Sequence, residues 1–160
     1  MAKQKEIKTN AMRMLEQMDI PFTHLTYECR EFADGIQVAD LLGLPHEKVY
    51  KTLVTVGAGK DYFVFVIPVE AELDMKAAAR AVGEKSVSMI PVREINRVTG
   101  YVRGGCTAIG MKKQYRTIVD DSAGALSTII VSGGRIGSQI ELSPGDLLRA
   151  SGGAYARVRV

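Results

Sequence analysis

The stretch "VYKTLVTV", residues 49–56, predicts the strand around which the rest of the fold is organised. Except for Lys51, its residues are β-branched, aromatic or leucine, the types that pack well on a pleated sheet. The turn-forming "GAGKD" follows at 57–61, and "YFVFVIP" at 62–68 is a second apolar run. Two such runs around a glycine-containing turn predict a β-hairpin.

Lys51 has two interpretations in this strand. Its ammonium group needs water or an anion, because burying an unpaired charge is costly. Alternation places Lys51 on one face with Leu53 and Thr55, and Thr52 on the other. On the inside of a curved sheet, Lys51 would bind a phosphate or a substrate oxygen. On an edge strand it would instead block aggregation, and the strand pattern alone favours neither.

The rest of the chain predicts helices and strands that do not alternate strictly. Helices are predicted at 7–18, 35–42, 75–83, 91–98 and 143–150, and further strands at 22–27, 86–90, 115–121, 127–134, 137–142 and 154–160. A doubly wound parallel sheet needs regular alternation, so we expect a mixed α+β fold with a curved or closed sheet.

Length and composition indicate a globular protein. The 160 residues suit one domain spanning 1–160, with 46% hydrophobic and 24% charged residues. The sequence has no apolar run of the ~20 residues that a membrane span needs, and no secretory signal pattern. Cys29 and Cys106 lack the CxxC spacing of a zinc or redox site. These features predict a cytoplasmic protein with reduced thiols and no membrane partner.

Familiar catalytic motifs are missing from the sequence. Neither His24 nor His46 lies in a serine or cysteine motif, and "GAGK" at 57–60 lacks the spacing of a phosphate-binding loop. The sequence also shows no metal-ligand cluster, so no metal or cofactor is expected. Any catalysis would therefore depend on positioning and on backbone donors.

The glycine-rich stretch "GYVRGGCTAIG", residues 100–110, is a candidate ligand loop. Its consecutive N–H groups could form an anion nest or an oxyanion hole, and the alternative is a plain surface connection. Cys106 within it is a candidate nucleophile or a small buried thiol. Basic residues cluster around the loop, and they would meet phosphates or form a solvated face. They are Arg93, Arg97, Arg103, Lys112, Lys113 and Arg116.

Several short motifs follow an amphipathic first helix in a fixed order. They are "TY" at 26–27, "YKTL" at 50–53, "TGYVRGGCTAIGMKK" at 99–113, "VSGG" at 131–134 and "ELSPGDL" at 141–147. With these motifs the chain resembles, over nearly its whole length, the YbaK family of freestanding aminoacyl-tRNA deacylases. That family is related to the editing domain of bacterial prolyl-tRNA synthetases. The resemblance implies a mixed, curved β-barrel of about seven strands surrounded by helices.

The resemblance also implies a function and a site. The function is hydrolysis of the ester between a wrong amino acid and its tRNA, most often cysteine on the proline tRNA, because a proline pocket rejects similar amino acids poorly. The implied partners are the acceptor end of a mischarged tRNA and a prolyl-tRNA synthetase. The implied catalytic positions are Lys51, Gly104 and Gly105, and the implied substrate contacts are Tyr27, Thr52, Cys106, Ser138 and Asp146. The predicted tRNA contacts are Lys112, Lys113 and Arg116.

By the same resemblance, the protein supplies no nucleophile. For a cysteinyl ester, the substrate's own thiol attacks the carbonyl, N–H groups near Gly104–Cys106 face the oxyanion, and Lys51 binds near the ribose or terminal phosphate. Thr107 and Ala108 stand where close relatives carry serine and proline. Alanyl and seryl esters are therefore alternative substrates, and a non-catalytic tRNA- or synthetase-binding module is the alternative function. Read without the resemblance, Asp146 belongs to a helix cap that begins at Ser143.

Overall fold

The structure is a computed structural model that describes residues 8–28 and 33–160. Cys29 lies outside these residues. The helices are α1 (Asn10–Gln17), α2 (Gly35–Leu42), α3 (Met75–Val82), α4 (Ile95–Thr99) and α5 (Pro144–Ser151). The strands are β1 (Thr23–Thr26), β2 (Tyr50–Gly57), β3 (Tyr62–Pro68), β4 (Val87–Met89), β5 (Arg116–Asp120), β6 (Ile129–Ser132), β7 (Ser138–Leu142) and β8 (Ala154–Ala156). Short 3₁₀ turns occupy His46–Lys48, Val92–Glu94 and Asp121–Ala125.

The predicted hairpin is confirmed. β2 pairs antiparallel with β3 along its length, and Lys51 lies opposite Ile67. This hairpin belongs to a mixed five-stranded sheet in the order β4-β2-β3-β5-β8, in which β3–β5 and β5–β8 are parallel pairs. The mixed α+β class is therefore confirmed. Parallel neighbours require crossovers, and helices occur in these connections.

The remaining strands form a three-stranded sheet in the order β1-β7-β6. An isolated parallel bridge between Val49 and Ile130 brings the start of β2 against β6. Within residues 8–28 and 33–160 the strands thus pair as two sheets rather than as one closed barrel. The closed barrel remains a prediction.

The core lies between these sheets and the helices. One cluster joins α1 to both sheets through buried residues such as Met12, Leu15, Val64 and Ile140. A second cluster packs α3 against the other face of the five-stranded sheet around Phe65. Strand alternation explains this division, because Val64 and Phe65 point to opposite faces. In the described part of the chain, no helix has the length and apolarity to span a membrane.

Candidate active site

A cavity of about 390 Å³ opens where the two sheets meet. This volume lies within the range of small-molecule sites. Its walls come from the start of β2, the N-terminus of α2, the segment from Met89 to Ile95, the glycine loop, and the facing strands β6 and β7. Lys51 and Thr52 from the opening stretch both lie in the wall.

The structure places Lys51 in the cavity wall. One side of β2 pairs with β3 at this point, and the other side faces β6 through the Val49–Ile130 bridge. The ammonium Nζ donates to the Val69 carbonyl at 3.3 Å. Partial burial lowers the pKa of Lys51, while the carboxylates of Glu72 and Asp34 act in the opposite direction. A desolvated cation with donors to spare is suited to bind an anionic or carbonyl oxygen.

The N-terminus of α2 lies beside this lysine. Asp34 caps the helix, because its carboxylate accepts from the Gln37 N–H at 2.8 Å and the Gln37 side chain accepts from the Asp34 N–H at 2.9 Å. The capping box therefore fixes the helix end at the cavity. Gly35 allows the close approach, since a Cβ there would lie 3.0 Å from the Cβ of Val69. None of the sequence-based site predictions included this helix end.

The glycine loop is held in place by side-chain hydrogen bonds. The buried Tyr101 hydroxyl donates to the Ile109 carbonyl at 2.6 Å and thereby closes the segment between them. The Thr99 hydroxyl donates to the Ile95 carbonyl and accepts from the Tyr101 N–H. Burial raises the pKa of Tyr101 to about 12, so the hydroxyl stays protonated as a donor. The loop is therefore an ordered wall rather than a loose connection.

Gly104, Gly105 and Cys106, the three predicted site positions of this loop, differ in how their backbone groups are used. The Gly105 N–H donates to the Val102 carbonyl at 2.9 Å, so it is already used in a turn. Gly105 also packs against Arg135, where a Cβ would come within 2.7 Å of its Cα. Gly104, which has a φ of 84°, and Cys106 line the cavity. Their N–H groups are the remaining candidates for donors toward a bound substrate.

Cys106 is a neutral wall residue in this geometry. Burial raises the pKa of its thiol to about 11, against the smaller opposing effect of a hydrogen bond with Thr99. Its Sγ lies 4.0 Å from the Thr99 Oγ1. A thiol with so high a pKa carries little thiolate at neutral pH, which argues against a nucleophilic role.

β6 and β7 bring two further polar side chains to the cavity, Ser132 and Gln139. They face each other across the antiparallel pair. Extending the parallel register of Val49–Ile130 by two residues sets Ser132 beside Lys51. A lysine, a hydroxyl and a carboxamide thus form a row across three strands. Sequence reasoning missed Gln139, because the resemblance pointed to its neighbour Ser138 and the pairing of β6 with β2 has no local signal.

Ser138 and Tyr27, two predicted substrate contacts, are not among the cavity-lining residues. Ser138 is buried, and its Oγ lies 2.8 Å from the His24 Nε2 across β1–β7. Strand alternation points it away from Gln139, toward Gly133. Tyr27 is half-buried, and its N–H donates to the Gly137 carbonyl. The structure therefore brings His24 to a serine that sequence spacing did not connect with it.

Asp146 lies in the first turn of α5, outside the cavity lining. Its N–H donates to the Ser143 hydroxyl at 3.2 Å, and its carboxylate contacts Arg149 at 3.4 Å. This geometry matches the helix-cap interpretation of the motif. It does not bring Asp146 to the cavity.

The three predicted tRNA contacts differ in their surroundings. Lys112 and Lys113 are exposed beside the glycine loop, and a Cβ on Gly100 would touch the Lys112 side chain. The Arg116 guanidinium donates to the carbonyls of Ala81 and Val82 at 3.2 and 3.3 Å. Arg116 therefore stabilises the C-terminal end of α3, which is a structural task. Arg103, within the glycine loop, lines the cavity.

The fold and this cavity agree with one family of proteins. The chain belongs to the aminoacyl-tRNA editing domain family, whose model matches residues 31–150.

Two curated relatives extend the comparison. A candidate Cys-tRNA(Pro)/Cys-tRNA(Cys) deacylase of Enterococcus faecalis, EbsC, is 44% identical over 160 residues, covering 99% of this chain and 98% of that protein. An uncharacterized Bacillus subtilis protein, YwhH, is 27% identical over 111 residues, covering 69% of this chain and 70% of that protein.

Solved structures share the fold. A candidate trans-editing enzyme for prolyl-tRNA synthetase has a TM-score of 0.80 at 21% identity, covering 97% of this chain and 99% of that one. The hypothetical protein APE2540 has a TM-score of 0.85 at 22% identity, covering 95% of this chain and all of that one. At these identities the likeness concerns the fold alone.

Proposed function

We propose that this protein is a trans-editing deacylase that hydrolyses the ester of a mischarged tRNA, with Cys-tRNA(Pro) as its leading substrate. The observation that carries the proposal is the convergence of Lys51, the α2 N-terminus and the glycine loop on one cavity. Family membership supplies the reaction class. The name of the Enterococcus faecalis relative, which is similar over nearly the whole chain, supports the substrate.

Lys51 serves as the anchor for the nucleotide end of the ester. Its ammonium is partly desolvated and donates to the Val69 carbonyl at 3.3 Å. A ribose or phosphate oxygen can accept from its other N–H groups. Exposed Lys112 and Lys113 extend the basic surface toward the acceptor stem.

The N–H groups of Gly104 and Cys106 face the ester carbonyl. Negative charge develops on that oxygen when the carbonyl carbon is attacked, and fixed donors stabilise it more than they stabilise the neutral ester. The hydrogen bond from the Tyr101 hydroxyl to the Ile109 carbonyl fixes the loop that carries these donors before the substrate binds. Gly105 contributes by packing the loop on Arg135 rather than by donating its N–H, which Val102 already accepts.

For a cysteinyl ester the substrate supplies the nucleophile. Its side-chain sulfur forms a bond to the ester carbonyl carbon, the carbon–oxygen bond to the ribose breaks, and the ribose oxygen leaves with the thiol proton. The product is a cyclic thioester that water opens. The protein's contribution is orientation and charge stabilisation, which agrees with a cavity wall whose own thiol is kept protonated.

The proposal places the protein in the cytoplasm, where mischarged tRNA is released. A prolyl-tRNA synthetase is the proposed partner, because a cavity of about 390 Å³ holds the end of a tRNA and cannot read the whole molecule. Alanyl and seryl esters of the proline tRNA are the alternative substrates.

Deacylation of a panel of mischarged tRNAs tests this function. The full chain should release cysteine from Cys-tRNA(Pro) faster than buffer does. Lys51→Ala should lower kcat/KM by about 100-fold, because the variant loses the charged contact that anchors the nucleotide end of the ester. Lys85→Ala, at an exposed lysine away from the cavity, is the matched control. Salt-dependent tRNA binding without turnover would instead support the non-catalytic binding module.

A further inference from the structure

Gln139 is a buried polar residue whose carboxamide faces the cavity. The residue is 6% exposed and lies in the cavity wall. Its backbone is held by β1 on one side and β6 on the other, opposite Leu25 and Ser132. Among the residues that the structure describes, none forms a hydrogen bond with the carboxamide.

The carboxamide is nevertheless not sealed in the core. Within 8–28 and 33–160, no fully enclosed side-chain nitrogen or oxygen lacks a partner. The Gln139 amide atoms therefore open on the cavity space. A ligand that fills this space displaces their water, and it must then replace the lost hydrogen bonds or leave the amide unpaired.

The position of Gln139 in the cavity places it at the aminoacyl end of the ligand rather than at the nucleotide end. Met89 and Val92, at the open side of the cavity, are 47% and 53% exposed, whereas Gln139 sits on the enclosed strand wall. The aminoacyl group is the terminal part of the ligand, and the nucleotide behind it stays connected to the rest of the tRNA outside the cavity. The aminoacyl group therefore reaches Gln139, and the nucleotide stays toward the exposed side.

The chemistry of a carboxamide selects the group it binds. It is neutral and offers both an acceptor oxygen and an N–H donor, so it matches a neutral group that both donates and accepts hydrogen bonds. A hydroxyl donates and accepts strongly, and a thiol does so weakly. An α-ammonium group is better matched by a carboxylate, and Asp34 supplies one in the same cavity.

We propose that Gln139 determines specificity by selecting aminoacyl groups with a hydroxyl or thiol side chain over the alanyl group. This inference rests on the proposed deacylase function. A methyl side chain would leave the buried amide unpaired, and sites built around a hydrogen bond discriminate strongly against ligands that lack it.

The test compares the Gln139→Met variant with the wild-type chain. Seryl, cysteinyl and alanyl esters of the same tRNA are used, and kcat/KM is measured for each. We expect the ratio of seryl to alanyl kcat/KM to fall about tenfold, and the cysteinyl ratio to fall less. Because a ratio does not depend on the fraction of active protein, partial misfolding cannot produce this result. Gln17→Met, at an exposed position on α1, should leave both ratios unchanged.

The outcomes separate the two proposals. A wild-type chain that deacylates these esters, with a ratio unchanged by Gln139→Met, would overturn the specificity role and leave the deacylase function standing. A wild-type chain that hydrolyses none of the three esters would overturn both.

Discussion

Gly105→Ala tests whether close packing of the glycine loop sets the geometry of the cavity. A Cβ at this position would lie 2.7 Å from the Cα of Arg135, 2.9 Å from its carbonyl carbon and 3.0 Å from the Ile136 nitrogen. Carbon atoms in contact prefer about 3.5–4.0 Å, so the loop must retreat by roughly 1 Å. All three contacts are backbone atoms, which cannot rotate away as a side chain could.

We expect this displacement of the loop in Gly105→Ala to lower both the stability of the protein and, by a larger factor, its activity. Overpacking of this kind lowers the free energy of unfolding by about 1–3 kcal/mol. A displacement of about 1 Å also moves the N–H groups of Gly104 and Cys106, and such misplacement lowers activity by roughly 100-fold. Denaturant unfolding measures the first effect, and kcat/KM on a mischarged tRNA measures the second.

Gly145→Ala is the matched control. A Cβ at Gly145 meets nothing within 4 Å, and the residue is the second of α5. Alanine favours the helix over glycine, so this variant should keep full activity and gain up to about 1 kcal/mol. If Gly105→Ala retained wild-type kcat/KM at normal stability, the proposed dependence of the site on loop packing would be wrong.

Three further predictions concern titratable groups of the site. Lys51→Met should have a higher free energy of unfolding than the wild type at neutral pH, because the wild type buries part of a charge. The difference should close as pH rises from the lowered pKa of Lys51 to about 10.5, where the lysine becomes neutral in both states, and unfolding at a series of pH values measures it. In a Cys29→Ser background, alkylation of Cys106 should be slow at pH 8 and accelerate up to about pH 11, whereas fast alkylation at pH 7 would contradict a buried thiol. The Tyr101 phenol should titrate near pH 12 by ultraviolet absorption, and its stabilising effect should be lost as pH rises from about 10 through 12. Tyr101→Phe leaves the Ile109 carbonyl without this donor and should lower the free energy of unfolding in denaturant by about 1–3 kcal/mol.

Much of the fold was predictable because its signals are local. The "VYKTLVTV" stretch and its partner form the expected hairpin, since apolar runs around a glycine turn leave few alternatives. Local signals also mark the starts of α2 and α3, where Asp34 and Asp74 are the capping residues. The contact between the two sheets was beyond local reasoning, because the bridge between Val49 and Ile130 joins residues far apart in the sequence.

Some residues of the candidate site could likewise be identified from local sequence signals, and others could not. Lys51 was identified as a candidate from the cost of burying its charge, and the structure places it in the cavity wall. Gln139 was missed because nothing in its immediate sequence shows which face of β7 meets the cavity. Asp146 shows the opposite case, since its local helix-cap pattern already described the position that the structure gives it.

The most direct test of the central claim is the release of cysteine from Cys-tRNA(Pro) by the purified full chain. We expect release well above the rate in buffer and a loss of about 100-fold on Lys51→Ala, which removes the charged anchor of the nucleotide end. Release no faster than in buffer, or a Lys51→Ala variant as active as the wild type, would contradict it.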